Sequence, residues 1–463
     1  MLAAFKKIIF GRKMLQKKML VSSVTSGLNG LLNVPGDKSI SHRSLIFAGM
    51  AIGQTKIMGL LRSEDVLSTL RAMQQLGVSI AEDLSKNIIT VKGIGTCGFN
   101  SPNEPLDLGN SGTGVRLIMG ALAGQPLTAN LTGDASLSAR PMRRITDPLQ
   151  KMGAQIAYLP KNEEKGLLPV TITGADPPLP LSYATQVASA QIKSAIMLAG
   201  LNARGLTIIT EPCISRDHTE SMLRHFGVDV EQRFLADGRH QVTLLGEANL
   251  KAKNILIPRD PSSAAFAIVA ALITPESDIT LPAVGLNPQR IGLITTLIEM
   301  GANLEISDER LEGGEPVGDI HARSSRLKGI EVPAKRAASM IDEYPVLSVA
   351  ASCAQGRTYM PGIAELRVKE TDRIAVMAKG LKACGVSVIE QPDSLTVNGQ
   401  EQITGGAIIA SQHDHRIAMS FLVLGMVSQQ AVSVLDTETI ATSFPGFASL
   451  MNGAGAHIHA PEV

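Results

Sequence analysis

One hydrophobic phrase recurs six times along this chain: an amphipathic stretch at helical spacing, then glycine, then a small or branched residue that opens a run of period-two alternation. The copies are Leu76-Gly77-Val78, Met152-Gly153-Ala154, Phe226-Gly227-Val228, Met300-Gly301-Ala302, Cys384-Gly385-Val386 and Ala454-Gly455-Ala456. Their glycines are 76, 74, 74, 84 and 70 residues apart (153−77, 227−153, 301−227, 385−301, 455−385), too regular for ordinary helix punctuation. A glycine just past a helix supplies the left-handed residue at which the chain turns. The residues that follow, such as Val78-Ser79-Ile80 and Val386-Ser387-Val388, alternate as strands do. Six copies of one α/β unit are predicted.

Helix starts agree with this. Ser63-Glu64-Asp65 precedes Val66, Leu67, Leu70, Met73 and Leu76, giving a cap, acids in the first turn and apolar residues on one face. Asn254 to Ser262 follows the third copy and holds two prolines, Pro258 and Pro261, which makes it the candidate crossing between domains. Three units before it and three after it form two similar halves with a cleft between them, a common place for ligands.

Composition fits a globular protein with more than one core: 463 residues, 44% hydrophobic, 18% charged and 3% aromatic. Forty-three basic against forty-two acidic residues leave a formal charge of +1. No whole-chain field draws the protein to nucleic acid or an anionic membrane, so any anion must be held by a local cluster. Cys97, Cys213, Cys353 and Cys384 are far apart and lack CxxC spacing, which predicts reduced, buried thiols in a cytosolic protein. Near the N-terminus Lys6, Lys7, Arg12, Lys13, Lys17 and Lys18 fall among apolar residues. The apolar stretches are too short for a membrane span or a secretory signal. A solvated basic extension, from a start upstream of Met14 or Met19, is the favoured expectation over a targeting peptide.

Several segments carry chemistry, each open to a plainer reading. Val34-Pro35-Gly36-Asp37-Lys38-Ser39-Ile40-Ser41-His42-Arg43 places a turn before a helix, where backbone N–H groups, Lys38, Ser39 and Arg43 suit a phosphate. An ordinary capped helix explains it equally well, and it is no Walker A loop. Leu108 to Arg116 is a Gly-rich turn around Gly112, either a ligand-approaching loop or a packing device. Arg140, Arg143 and Arg144 around Pro141 form either a solvated face or a grip on a carboxylate and phosphate. Asp342 and Glu343 stand in an apolar stretch, where desolvation would raise a carboxylate toward a useful base; a helix N-terminal acid pair is the alternative. Lys369 and Arg373 lie four apart, on one helix face with Glu370 beside them, or on a salt-bridged surface helix. His413 and His415 flank Asp414, but alternate spacing, no third cluster and Arg416 alongside argue against a metal.

In order and wording these segments, with Ser189-Ala190-Gln191 and Ser215-Arg216, resemble the EPSP synthase family, in the branch whose first loop reads Pro35-Gly36-Asp37-Lys38-Ser39-Ile40-Ser41-His42-Arg43, from about Leu31 to the end. The resemblance implies a two-domain inverse αβ barrel of six βαβαββ units, three per domain. It places residues 1–36 as N-terminal extension and start of domain 1, 37–258 as domain 2, and 259–463 as the remainder of domain 1. It implies transfer of the enolpyruvyl group of phosphoenolpyruvate to the 5-hydroxyl of shikimate 3-phosphate, by a cytoplasmic, monomeric enzyme with no cofactor or metal and no nucleic-acid or membrane partner. Carried over by position, Lys38, Ser39, Arg43, Ser189, Gln191, Asp342 and Lys369 hold shikimate 3-phosphate, with Ser215 and Arg216 in weaker correspondence. Gly112, Arg140, Gln191, Arg373 and Arg416, with Lys38 shared, hold phosphoenolpyruvate. Asp342 is the implied base, and Glu370 with Lys369 the implied proton donor and acceptor at the enol carbon.

Two departures stand out. Ala441-Thr442-Ser443-Phe444-Pro445 lacks the Lys that precedes Thr-Phe-Pro in the better-known branch, and Leu117 replaces a proline. The rival within the fold is the UDP-N-acetylglucosamine enolpyruvyl transferase, which has Lys-Asn where this chain has Lys38-Ser39 and a cysteine in a mobile loop to which none of the four cysteines here corresponds. The rival outside catalysis is an anion-binding repeat protein.

Overall fold

The computed structural model describes residues 18–461. The basic stretch through Lys17 lies outside them. All six repeat glycines adopt positive φ: Gly77 (+94°), Gly153 (+99°), Gly227 (+85°), Gly301 (+87°), Gly385 (+87°) and Gly455 (+117°). Each closes its helix in the same way. The glycine N–H bonds the carbonyl three residues back and the next N–H bonds the carbonyl five back, as in Gly77 to Gln74 (3.0 Å) and Val78 to Met73 (3.1 Å). This is the Schellman arrangement, which satisfies carbonyls that a helix end leaves free.

The unit between these stops is βαβαββ. In the second copy the strand Leu106–Asp107, helix Gly112–Ala123, strand Thr128–Thr132, helix Arg143–Lys151 and strands Gln155–Tyr158 and Val170–Thr173 follow in order. The first two strands pair in parallel and the others antiparallel, so the last strand lies inside the sheet. The third copy repeats this from Ser182–Ala184 to His240–Leu245.

Other copies borrow a strand from a distant part of the chain. The first takes its parallel strand from Leu250–Lys251 and Ile255–Leu256, which pair with Ala51–Met58. The fourth takes Asn29–Leu31, parallel to Asp278–Gly285. The sixth is completed by Leu20–Ser23, inserted antiparallel between Val432–Leu435 and His457–His459.

Two hydrophobic cores result. One joins Leu28, Leu32 and Val34 to residues from Ala264 to Ile458, and the other runs from Ile40 to Ile257. Between them the chain passes twice at one place, where Asp37 N bonds Pro258 O (2.8 Å) and Gly36 bridges Arg259.

Three expectations fail. Ser63 occupies its N-cap but makes no side-chain cap bond. All four cysteines are free, yet Cys97 and Cys213 are exposed because each lies on a loop and not in a core-facing element. Lys369 and Arg373 do not share a helix: Lys369 is extended (φ −78°, ψ −150°) after a short 3-10 turn, and Arg373 opens a new helix capped by Asp372.

Candidate active site

The helix Lys38–Met50 begins where the chain first crosses, and Asp37 caps it by accepting a hydrogen bond from Ile40 N (2.8 Å). Lys38 is half-buried and ion-paired to Asp65. Arg43 is buried and, among the described residues, its guanidinium meets only neutral groups at hydrogen-bond distance: Thr219 Oγ1 (2.7 Å), Ser194 Oγ (2.8 Å) and Ser39 O (3.1 Å). Burial brings its pKa down to about 10.

A second group forms around the Gly-rich turn. Ser111 caps the helix Gly112–Ala123 through Gly114 N (3.0 Å). A Cβ on Gly112 would stand 3.1 Å from Arg140 Nη1 and 3.3 Å from Arg116 Nη1, so the glycine makes room for two guanidinium groups. Arg140 donates to Asn110 (2.5 Å) and Ser136 (3.1 Å), and Arg116 donates to Gln191 Oε1 (2.6 Å), whose amide in turn donates to Thr113. Arg116 was not singled out from sequence, although it follows Gly112 at the i+4 spacing that shares a helix face. Burial, and then the like charges of Arg140 and Arg144, lower its pKa to about 10. Such an array favours an anion.

Asp342 joins the two halves. Its Oδ2 accepts from Arg216 (2.7 Å), which belongs to the stretch between the crossings, and its Oδ1 accepts from Arg373 (3.2 Å). Its backbone carbonyl accepts from Arg416 (3.1 Å). Arg373 is fully buried and also donates to Glu370 (2.6 Å) and Asp414 (2.8 Å).

The expectation that burial would raise Asp342 is overturned. Burial does push it upward, but Arg416, Arg216, Lys369 and Arg373 outweigh that and hold the carboxyl well below the usual range. Glu370 is likewise depressed, by Arg373 first among the charges. Neighbouring His415 is kept neutral by burial, Arg416 and Lys38.

Ser189 is the N-cap residue of the helix Ala190–Gly200, and Ser215 lies on the loop before the helix His218–His225. The implied site residues thus fall into three adjoining groups, around Lys38 and Arg43, around Gly112 and Arg140, and around Asp342. His413 stands apart. It meets Asp436 and Glu438, with donor atoms all within 4.8 Å, because a distant strand end comes alongside. The expectation of no further acidic partner for His413 is corrected; His413 and Glu438 are exposed and Asp436 is buried, and since acidic groups are common in such places without an ion, no metal site is assigned.

A family model described as EPSP synthase (3-phosphoshikimate 1-carboxyvinyltransferase) matches residues 23–451. The chain belongs to the EPSP synthase family. A 3-phosphoshikimate 1-carboxyvinyltransferase of Parvibaculum lavamentivorans is 53% identical over 438 residues, covering 94% of this chain and 96% of the relative. That of Roseobacter denitrificans is 54% identical over 442 residues, covering 95% and 97%. Among solved structures, an EPSP synthase from Acinetobacter baumannii superposes with a TM-score of 0.86 at 45% identity, over 96% of this chain and 100% of that one. The enolpyruvyl transferase NikO from Streptomyces tendae superposes with a TM-score of 0.77 at 16% identity, over 96% and 99%, a likeness of fold alone.

Within the EPSP synthase fold the cations around Asp342 come from both halves of the chain, Arg216 from one and Arg373 and Arg416 from the other. Among the described residues no helix is long and apolar enough to cross a membrane.

Proposed function

We propose that this member of the EPSP synthase family transfers the enolpyruvyl group of phosphoenolpyruvate to the 5-hydroxyl of shikimate 3-phosphate. The observation that carries the reading is the Asp342 carboxylate, shared by Arg216 from one half and Arg373 from the other. Two multiply charged anions need many fixed cations around one base, and this cleft supplies them.

In the proposed reaction Asp342 takes the hydroxyl proton as the oxygen bonds to C2 of the enol, while C3 gains a proton from Glu370 or Lys369. Loss of that C3 proton and departure of phosphate then restore the double bond. Free Glu370 is too acidic to donate. Phosphoenolpyruvate beside Arg373 and Arg140 neutralises the charges that depress Glu370 and adds a like charge, both of which raise its pKa.

Lys38, Ser39, Arg43, Ser189, Gln191, Ser215, Arg216, Asp342 and Lys369 are assigned to shikimate 3-phosphate, and Gly112, Arg140, Gln191, Arg373 and Arg416, with Lys38 shared, to phosphoenolpyruvate. Arg116, bonded to Gln191 and beside Gly112, joins the second group. The two hydrophobic cores support domain limits at 36/37 and 258/259. A cytoplasmic monomer needing no cofactor completes the reading.

Purified protein mixed with both substrates is expected to release phosphate and form the enol ether. No release, or release only with UDP-N-acetylglucosamine as acceptor, overturns it. Size-exclusion chromatography with light scattering checks the monomer.

A further inference from the structure

Beneath the serines assigned to shikimate 3-phosphate lies a buried ionic cluster that the reaction does not use. Lys193, Glu211 and Glu220 are each inaccessible to solvent. Lys193 Nζ is 2.9 Å from Glu211 Oε2, 2.8 Å from Glu220 Oε1 and 3.3 Å from Ser215 O. These groups come from three elements: the helix Ala190–Gly200, the end of the strand Leu206–Glu211 and the start of the helix His218–His225.

The other oxygen of Glu211 faces the ligand loops. Its Oε1 accepts from Ser189 N (3.1 Å) and from Ser215 Oγ (2.7 Å), so one carboxylate oxygen fixes both serine-bearing segments. The Ser215 hydroxyl proton is thereby committed to Glu211, whereas no hydrogen bond from the Ser189 hydroxyl occurs among the described residues. Ser189 is then the serine that gives its proton to an anion.

This arrangement has an electrostatic difficulty. A carboxylate directly behind a phosphate-binding edge repels the dianion that the edge receives, unless a cation cancels it in a medium that screens poorly. Lys193 is the cation placed to do so.

We propose that Lys193 is a positioning residue for shikimate 3-phosphate: it never touches the ligand, but by neutralising Glu211 it lets that carboxylate tie Ser189 and Ser215 together without repelling the phosphate. The inference rests on the proposed function above.

Around Glu211 the titratable groups are Lys193, Ser215's neighbour Cys213 and His240, whose Nδ1 is 3.9 Å away. Arg43 and Asp217 act on Glu220. Burial pushes Glu211 up, but the His240 side chain and then the charge and hydrogen bond of Lys193 bring it down to about 2, while burial holds Glu220 above its ordinary value.

The test is equilibrium binding of shikimate 3-phosphate from pH 5.5 to 8.5, each variant taken as a ratio to the unaltered protein so that the ligand's own ionisation cancels. Lys193→Met is expected to weaken binding about tenfold or more at pH 8, to recover as Glu211 takes up a proton on acidification, and to change kcat at saturation far less than KM. Lys193→Met with Glu211→Gln keeps an acceptor for Ser189 and Ser215 but has no charge to cancel, and is expected to bind within about threefold of the unaltered protein at every pH. A mere packing role for Lys193 gives neither the pH recovery nor the rescue. Unchanged binding by Lys193→Met, or a double variant as weak as the single one, overturns the proposal. If Lys193→Met does not fold, the double variant alone decides it. Ser189→Ala separates the two levels of argument. If it binds normally, the assignment of this edge to the phosphate fails; if it binds poorly while Lys193→Met binds normally, only the role of Lys193 fails.

Discussion

At Asp342 burial and charge oppose each other, and charge prevails. A half-buried carboxyl surrounded by Arg216, Arg373, Arg416 and Lys369 stays ionised, which is the state a base must have before substrate arrives. Asp342→Asn keeps the shape and removes the base. It is expected to lower kcat by about 10²- to 10⁴-fold while the dissociation constant of shikimate 3-phosphate moves only a few fold, since the surrounding cations remain; steady-state kinetics beside calorimetric binding checks both. The substrates bring anions to the same cations, so binding must raise Asp342 and Glu370 from their depressed values. A raised pKa means proton uptake. Titrating phosphoenolpyruvate into the complex with shikimate 3-phosphate at pH 6, in buffers of different ionisation enthalpy, is expected to show uptake that exceeds the value at pH 8 and shrinks in Glu370→Gln. Equal values at both pH, after allowing for the ligands' own phosphates, count against it. The sign for stability runs the other way. Depressed carboxylates stabilise the unliganded fold above their ordinary range near 4, and that contribution is lost as pH falls below it. Sequence made Asp342 visible as a polar residue in an apolar stretch, but it gave the wrong direction of shift, because four cations from three distant segments are not visible in a local window.

The six Schellman stops show what is legible at the scale of an element. The left-handed residue, the helix before it and the strand after it are local requirements, so they leave a mark in the sequence at every copy. Strand exchange leaves no such mark. Leu20–Ser23 completes a sheet formed more than 400 residues later, and only the folded pairing reveals it. The helix start at Arg373 was readable in Asp372, whose carboxylate caps Ala375 N (3.0 Å), but the i, i+4 spacing of Lys369 and Arg373 suggested a continuous helix instead. The stops also differ in what surrounds them, and this can be measured. A Cβ on Gly227 meets nothing closer than Lys251 Cδ at 3.7 Å, so Gly227→Ala carries only the cost of left-handed backbone, about 1–2 kcal/mol. A Cβ on Gly77 comes within 2.3 Å of Asn100 Nδ2, which must move as well. Thermal unfolding is expected to place Gly77→Ala below Gly227→Ala, and Gly227→Ala a few degrees below the unaltered protein with its activity at 25 °C intact. Equal midpoints for the two variants contradict this account.

For the whole molecule, the joint between the halves depends on Arg290, a residue that nothing in the sequence distinguished. Its guanidinium is buried and binds Asp37 (2.9 Å) on the first crossing and Asp260 (3.0 Å) on the second. Each of those aspartates also caps a helix, Lys38–Met50 and Pro261–Ile273. Arg290 further donates to Ser262 Oγ (2.9 Å), which donates to Glu343, the neighbour of the proposed base. The spacing of the repeats located the crossing, but Arg290, which closes it, lies on the loop between the strand Asp278–Gly285 and the helix Gly292–Glu299 of the fourth copy, a position the repeated phrase does not mark. Removing one partner of such a network leaves carboxylates buried without compensation, which costs about 3–5 kcal/mol. Arg290→Met is therefore expected to lower the unfolding midpoint well beyond the effect of either glycine variant. It should also raise KM for shikimate 3-phosphate, because the helix start that carries Lys38 loses its anchor. Adding Asp260→Asn removes one stranded charge, so the double variant should be more stable than Arg290→Met alone, whereas Asp260→Asn by itself should destabilise. Strictly additive losses in this cycle would mean that Arg290 and Asp260 act independently and that the joint is held by packing of the two cores instead.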